Sequence, residues 1–218
     1  MATKRKLTGK KDSLNYFVFE NREEMGKVAA IDTAEQIVGL QENQDEIRMV
    51  FAAAPSQNEF LYHLVQDQRI KWEKITAFHM DEYLGLDEEA PQLFQNFLKE
   101  RLFDLVPFKQ VHLINSSNVD ECERYAELLK EKPVDIVCLG IGENGHLAFN
   151  DPPVADFNDS ETIKKVKLDQ TCRQQQVNDG CFDSLSMVPE YALTLTIPAL
   201  LSARAMYCVV PGSTKRNA

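Results

Sequence analysis

Val134-Asp135-Ile136-Val137-Cys138-Leu139 runs directly into Gly140-Ile141-Gly142-Glu143-Asn144-Gly145-His146-Leu147-Ala148-Phe149-Asn150-Asp151. The first part is an apolar run rich in β-branched residues, the pattern of a parallel strand buried on both faces. Three glycines follow, freeing the backbone for positive φ and for close approach to a ligand. The loop then carries an imidazole, two amides and the Asp151 carboxylate. In open α/β sheets the carboxyl ends of strands are where ligands bind. A histidine in such a loop, with a carboxylate close behind it, can do acid–base work near neutral pH.

A second stretch has the same grammar. Ile75 to Met80 reads as a buried strand, and Asp81-Glu82-Tyr83 stands at its end. Alone, Asp81 reads better as a helix cap or turn residue, and His146 reads as a loop histidine bonded to backbone. Together they point to one crevice shared by two strand tips, because a rigid sheet positions the loops that carry chemistry. Further strands are expected at Tyr16–Phe19, Ile47–Ala53, Val111–Leu113, Lys164–Leu168, Tyr191–Ile197 and Ala205–Val210. Helices are expected from Asn21, with Glu24 at the capping-box spacing, from Ser56 with Glu59 likewise, over Gln92–Leu105 and over Val119–Lys130. Strands alternating with helices imply an α/β fold: a mostly parallel, Rossmann-like sheet in a three-layer αβα arrangement. Residues 1–14 are expected to form a basic N-terminal arm and residues 15–218 a single domain.

The chain of 218 residues is long enough for one substantial core. Its net charge of −10 argues against a general nucleic-acid surface, so an anionic ligand needs a local basic pocket. The five cysteines form no Cys-x-x-Cys pair, which points to a reducing compartment without disulfide or zinc framework. No apolar run is long enough to span a bilayer. A cytoplasmic protein with no membrane or nucleic-acid partner is the resulting expectation, and homo-oligomerisation is compatible with the chain.

Phe78-His79-Met80-Asp81-Glu82-Tyr83 with Gly85-Leu86, and Leu139 through Pro152, resemble the two signature stretches of glucosamine-6-phosphate deaminases, a family grouped with 6-phosphogluconolactonases. The resemblance continues through Val188–Thr194 and Pro211-Gly212-Ser213-Thr214-Lys215, so it covers most of the chain. It implies opening, isomerisation and deamination of an amino-sugar 6-phosphate, glucosamine 6-phosphate or its galactosamine epimer, to a ketose 6-phosphate and ammonia, with no metal or organic cofactor. Asp81 matches the carboxylate that shuttles a proton from C2 to C1. His146 matches the ring-opening histidine, Asp151 stands where the family usually has glutamate, and Asn144 takes a position held by aspartate or asparagine.

Phosphate recognition departs most from the family pattern. The usual Gly-rich loop after the second strand is replaced by Ala52-Ala53-Ala54-Pro55-Ser56-Gln57-Asn58. Ser56 and the following helix start are expected to hold phosphate, in competition with a purely capping role for Ser56 and Glu59. Gln57 and Gly145 are expected at the substrate. Lys215 matches the family's phosphate lysine, and Arg173 lies near the expected phosphate arginine, whose classical position is not retained. A further helix and sheet follow this point in the family, so the chain reads as short at its end. Two alternatives stand beside the deaminase. One is a 6-phosphogluconolactonase-type hydrolase, disfavoured by Leu147–Pro152 and Asp81-Glu82-Tyr83. The other is a non-catalytic sugar-phosphate-binding module.

Overall fold

The computed structural model describes residues 6–216. The element order is β1 Leu7–Lys11, β2 Leu14–Val18, α1 Arg22–Gln41, β3 Ile47–Phe51, α2 Asn58–Leu64, β4 Ile75–His79, β5 Asp81–Tyr83, α3 Phe94–Leu98, β6 Gln110–His112, α4 Glu121–Lys130, β7 Ile136–Leu139, β8 Ile163–Lys167, α5 Gln170–Asn178, β9 Tyr191–Leu195, α6 Ile197–Leu201 and β10 Ala205–Cys208. Five strands form the central sheet in the order β10-β7-β3-β4-β6, every pair parallel. Non-consecutive neighbours require crossovers, and the helices supply them.

Side chains alternate across this sheet because strand residues alternate faces. Met49 and Phe51 of β3 and Ile75 and Ala77 of β4 face a core closed by Ala30, Ala34 and Ile37 of α1, Phe60, Leu61 and Leu64 of α2, and Leu98 of α3. Val50, Phe78, Val137 and Leu139 face the other way, against Tyr125 and Leu129 of α4, Leu193 and Leu195 of β9, and Leu200 of α6. The chain is therefore an α/β fold with a parallel sheet covered on both faces.

Four features differ from the sequence reading. The strand expected at Tyr16–Phe19 is β2, and it pairs antiparallel with β1 in a hairpin outside the main sheet. That hairpin crosses the expected boundary between arm and domain; residues 1–5 of the arm lie outside the described residues. Asp81–Tyr83 is not a loop past β4 but a strand of its own, in a second, antiparallel sheet of order β5-β9-β8. The residues around Arg173, read as irregular, form α5, capped by the Asp169 side chain on the Thr171 N–H. They carry no apolar period, because the buried face of α5 consists of Cys172, Gln175 and Gln176. Finally, Ser56 caps nothing. Pro55–Gln57 is a single 3-10 turn, and neither it nor α2 has a side-chain cap.

Candidate active site

A cleft opens at the carboxyl ends of β3, β4, β7 and β10. Asp81, His146, Ser56, Gln57 and Lys215 line it together. The two strand tips singled out in the sequence thus face one cavity. Parallel registers explain this: Phe51 pairs with both His79 and Cys138, so β3, β4 and β7 end at one level.

The loop after β7 is locked by its own polar groups. Gly142 N–H donates to the His146 carbonyl (2.9 Å), and Gly145 N–H donates to the Gly142 carbonyl (3.1 Å). A Cβ on Gly142 would meet the His146 ring at 2.1 Å, so glycine there lets the imidazole lie against the backbone. Gly145 has φ +88, where a side chain is strained. It turns the loop and is exposed, away from the cleft lining. Ala148 takes φ +50, a costly conformation for a residue with a Cβ. Asn150 holds it there by donating to the Leu147 and Leu195 carbonyls (2.8 Å each), while Phe149 N–H donates to the Thr194 hydroxyl (3.0 Å).

His146 is 9% exposed. Its Nδ1 lies 2.7 Å from Asn144 Oδ1 and 3.1 Å from Asp151 Oδ1. Asn144 turns its amide nitrogen to Asp151 Oδ1 (3.0 Å), so its oxygen is the atom presented to the ring. Both neighbours of Nδ1 are acceptors, which assigns the neutral proton to Nδ1 and leaves a lone pair on Nε2. Asp151 is fully buried, and its second oxygen accepts from Asp169 N–H (2.9 Å). Burial pushes its pKa up, but bonds from His146, Asn144 and the Asp169 amide outweigh this and hold it below the usual carboxylate value.

Asp81 and its neighbour Glu82 are both buried, but they face different surroundings. Asp81 is 6% exposed and lines the cleft. Burial first, and the Glu82 charge second, push its pKa well above the usual carboxylate value. Glu82, on the opposite face of β5, accepts from the N–H groups of Tyr83 (2.9 Å), Phe94 (3.0 Å) and Gln95 (2.8 Å). It is the anchor for the start of α3. Burial still raises it to about 7, against the pull of those amides and Lys99.

At the other end of the cleft, Gln57 is buried and reaches the Ser56 hydroxyl (3.1 Å) and the Val209 carbonyl (3.5 Å). Gly140 makes room for this, since a Cβ there would meet Gln57 Nε2 at 3.1 Å. Arg173 is not part of the cleft. Its guanidinium donates to the carbonyls of Leu185 (2.8 Å) and Val188 (2.7 Å), tying α5 to the segment before β9, so the expected phosphate contact at Arg173 has no counterpart in this arrangement. A different arginine lines the cleft: Arg22, the first residue of α1. It grips Glu59 with Nε (2.7 Å) and Nη2 (2.9 Å) and reaches the Pro55 carbonyl (2.7 Å). The sequence reading missed it, although a signal existed. A cation at the first position of a helix opposes the helix dipole, and such local violations mark sites with another purpose.

His146, Asp151 and Cys172 place ligand-type atoms within 4.8 Å of one another. The thiol is buried and hydrogen-bonded to Asp151; burial first and that carboxylate second push its pKa far up. The trio is therefore a satisfied proton network rather than a set of idle donors.

The fold and cleft define an α/β protein that meets small molecules at the carboxyl ends of a parallel sheet. Residues 20–218 match the family model described as glucosamine-6-phosphate isomerases/6-phosphogluconolactonase, and the chain belongs to this family of sugar-phosphate isomerases and hydrolases. A glucosamine-6-phosphate deaminase of Exiguobacterium sp. is 38% identical over 161 residues, 72% of this chain, which span 61% of that protein's length. One from Bacillus cereus is 33% identical over 94% of this chain and 76% of its own length. A solved monomeric glucosamine-6-phosphate deaminase superposes with a TM-score of 0.75 at 27% identity, covering 85% of this chain and 77% of that one. The 6-phosphogluconolactonase of Thermotoga maritima superposes at 0.69 with 20% identity, over 88% and 83% of the two chains, a likeness of fold. No helix among the described residues is long and apolar enough to cross a membrane.

Proposed function

We propose that this cleft converts an amino-sugar 6-phosphate, glucosamine 6-phosphate or its galactosamine epimer, to a ketose 6-phosphate with release of ammonia. The observation that carries this reading is a buried carboxylate and a tautomer-locked imidazole facing one cleft from adjacent strand tips. His146 Nε2, with Nδ1–H held by Asn144 and Asp151, takes the proton of the anomeric hydroxyl and delivers it to the ring oxygen as the C1–O5 bond breaks, which opens the pyranose. Asp81, raised in pKa by burial, takes the proton from C2 of the open aldose. Loss of that proton gives the enolamine; the same carboxyl group returns it to C1 as a proton passes from nitrogen to O1, and water hydrolyses the resulting C2 iminium to the ketone, releasing ammonia. A base with raised pKa suits a weakly acidic C–H. Ser56, Gln57 and Lys215 receive the phosphate end.

The protein incubated with each amino-sugar 6-phosphate should release ammonia, and 6-phosphogluconolactone should give no acid above its spontaneous rate. Acid release without ammonia would replace this reading by the lactonase. Tight binding with turnover of neither would replace it by a binding module.

A further inference from the structure

We propose that Arg22, held by Glu59, is a phosphate-binding residue of this cleft, filling the role that the sequence assigns to Arg173. The inference rests on the reading of the cleft as a sugar-phosphate site. Among the described residues, Arg22 and Lys215 are the arginine and lysine side chains lining the cleft, and Arg22 stands next to Ser56 through its bond to the Pro55 carbonyl. Arg173 is engaged elsewhere, by two carbonyls.

The local structure is built around Arg22 at some cost. Its position at the start of α1 sets a cation against the positive end of the helix dipole. Asn21 and Glu24 already supply the cap there, so helix initiation does not require the guanidinium. Gly26, one turn further on the same face, brings α1 against α2: a Cβ there would meet Glu59 Cβ at 2.5 Å and Phe60 N at 2.8 Å. That approach sets Glu59 within reach of Arg22. The carboxylate takes Nε and Nη2 in a fork, and among the described residues Nη1 makes no hydrogen bond. The second Nη2 hydrogen goes to the Pro55 carbonyl (2.7 Å), so a guanidinium so oriented has Nη1 left to donate to a phosphoryl oxygen. Glu59 and Asp179 both attract Arg22, so phosphate must share it with acids, a balance that tempers rather than abolishes anion binding.

A structural explanation competes: the pair could serve to clip α1 to α2. Arg22 is 48% exposed in its side chain, and exposed pairs add little to stability. The two roles separate in a charge cycle. Wild type, R22Q, E59Q and R22Q/E59Q are titrated with inorganic phosphate by calorimetry, with KM for the amino-sugar phosphate and thermal melts alongside. R22Q should weaken phosphate and raise KM roughly 10- to 100-fold with kcat little changed, the effect of losing a charged hydrogen bond. E59Q should bind phosphate as tightly as wild type or more tightly, and R22Q/E59Q should remain as weak as R22Q. Unchanged affinity in R22Q, or recovery of wild-type affinity in the double variant, would overturn the inference, since Arg22 would then merely neutralise Glu59. Wild type that neither binds phosphate nor turns over either sugar phosphate would overturn the functional reading as well. Wild type that binds while R22Q is indifferent overturns Arg22 alone.

Discussion

At the reacting end of the cleft, His146 finds its partners in its own loop, at Asn144 and Asp151; at the anion end, Arg22 finds its partner in another helix, 37 residues away in sequence. The first end is buried, and its groups hold one another in place by hydrogen bonds. The second is half open, and its arginine stands beside two acids, Glu59 and Asp179. Chemistry at a carbon atom needs one geometry and a raised or locked pKa, which burial supplies. Capture of a hydrated anion needs charge that water can reach first.

The largest test of this contrast is Asp81→Asn. Ammonia release should fall by about 10²- to 10⁴-fold. The same variant should melt higher than wild type at pH 7. The folded-state pKa of Asp81 is raised, so the folded state binds more protons than the unfolded one between the usual carboxylate value and the raised one. Stability contributed by this group is therefore present at low pH and lost as pH rises through that window. An amide removes the loss, and the gain should shrink toward pH 4. A variant that melts lower at both pH values would show that the charge is not strained.

His146→Gln comes next, with turnover of the pyranose slowed by on the order of 10²-fold and less loss on an open-chain analogue. Equal losses on both would contradict the ring-opening role. Lys215→Met at the anion end should raise KM about 10-fold with kcat retained, as expected for a group that binds substrate and transition state alike. A fall in kcat at unchanged KM would erase the division between the two ends.

The smallest effect on turnover should come from Glu82→Ala, next door to the base. It should cost about 1–3 kcal/mol in a denaturant titration, because three amides lose their acceptor, while ammonia release per folded molecule changes little. Loss of activity as deep as that of Asp81→Asn would mean the two carboxylates act as a pair.

Much of this molecule was legible in the chain. β7 announces itself as a continuous apolar run and β3 and β4 as largely apolar ones because a parallel strand is buried on both faces, and the polar residues that follow them stand where strands end. The Asn21 cap was readable because the cap and the Glu24 N–H that donates to it are local. Other parts were not. Asp81–Tyr83 looks like a turn until Asp81 pairs with Thr194 in a second sheet. Helix α5 hides because it buries glutamines and a cysteine rather than leucines. Ser56-Gln57-Asn58-Glu59 carries a capping-box signature, yet Glu59 goes to Arg22 instead.

By itself, then, the sequence determined the parallel sheet, the loop that turns on Gly142 and Gly145, and the presence of an acid and an imidazole at two strand tips. All of these follow from side-chain period and backbone freedom within a few residues. The tertiary structure alone decided which of two adjacent carboxylates enters the cleft and which arginine stands at its rim. Those choices depend on strand pairing and helix contact between distant segments, and on the desolvation and charge neighbours that such contacts create.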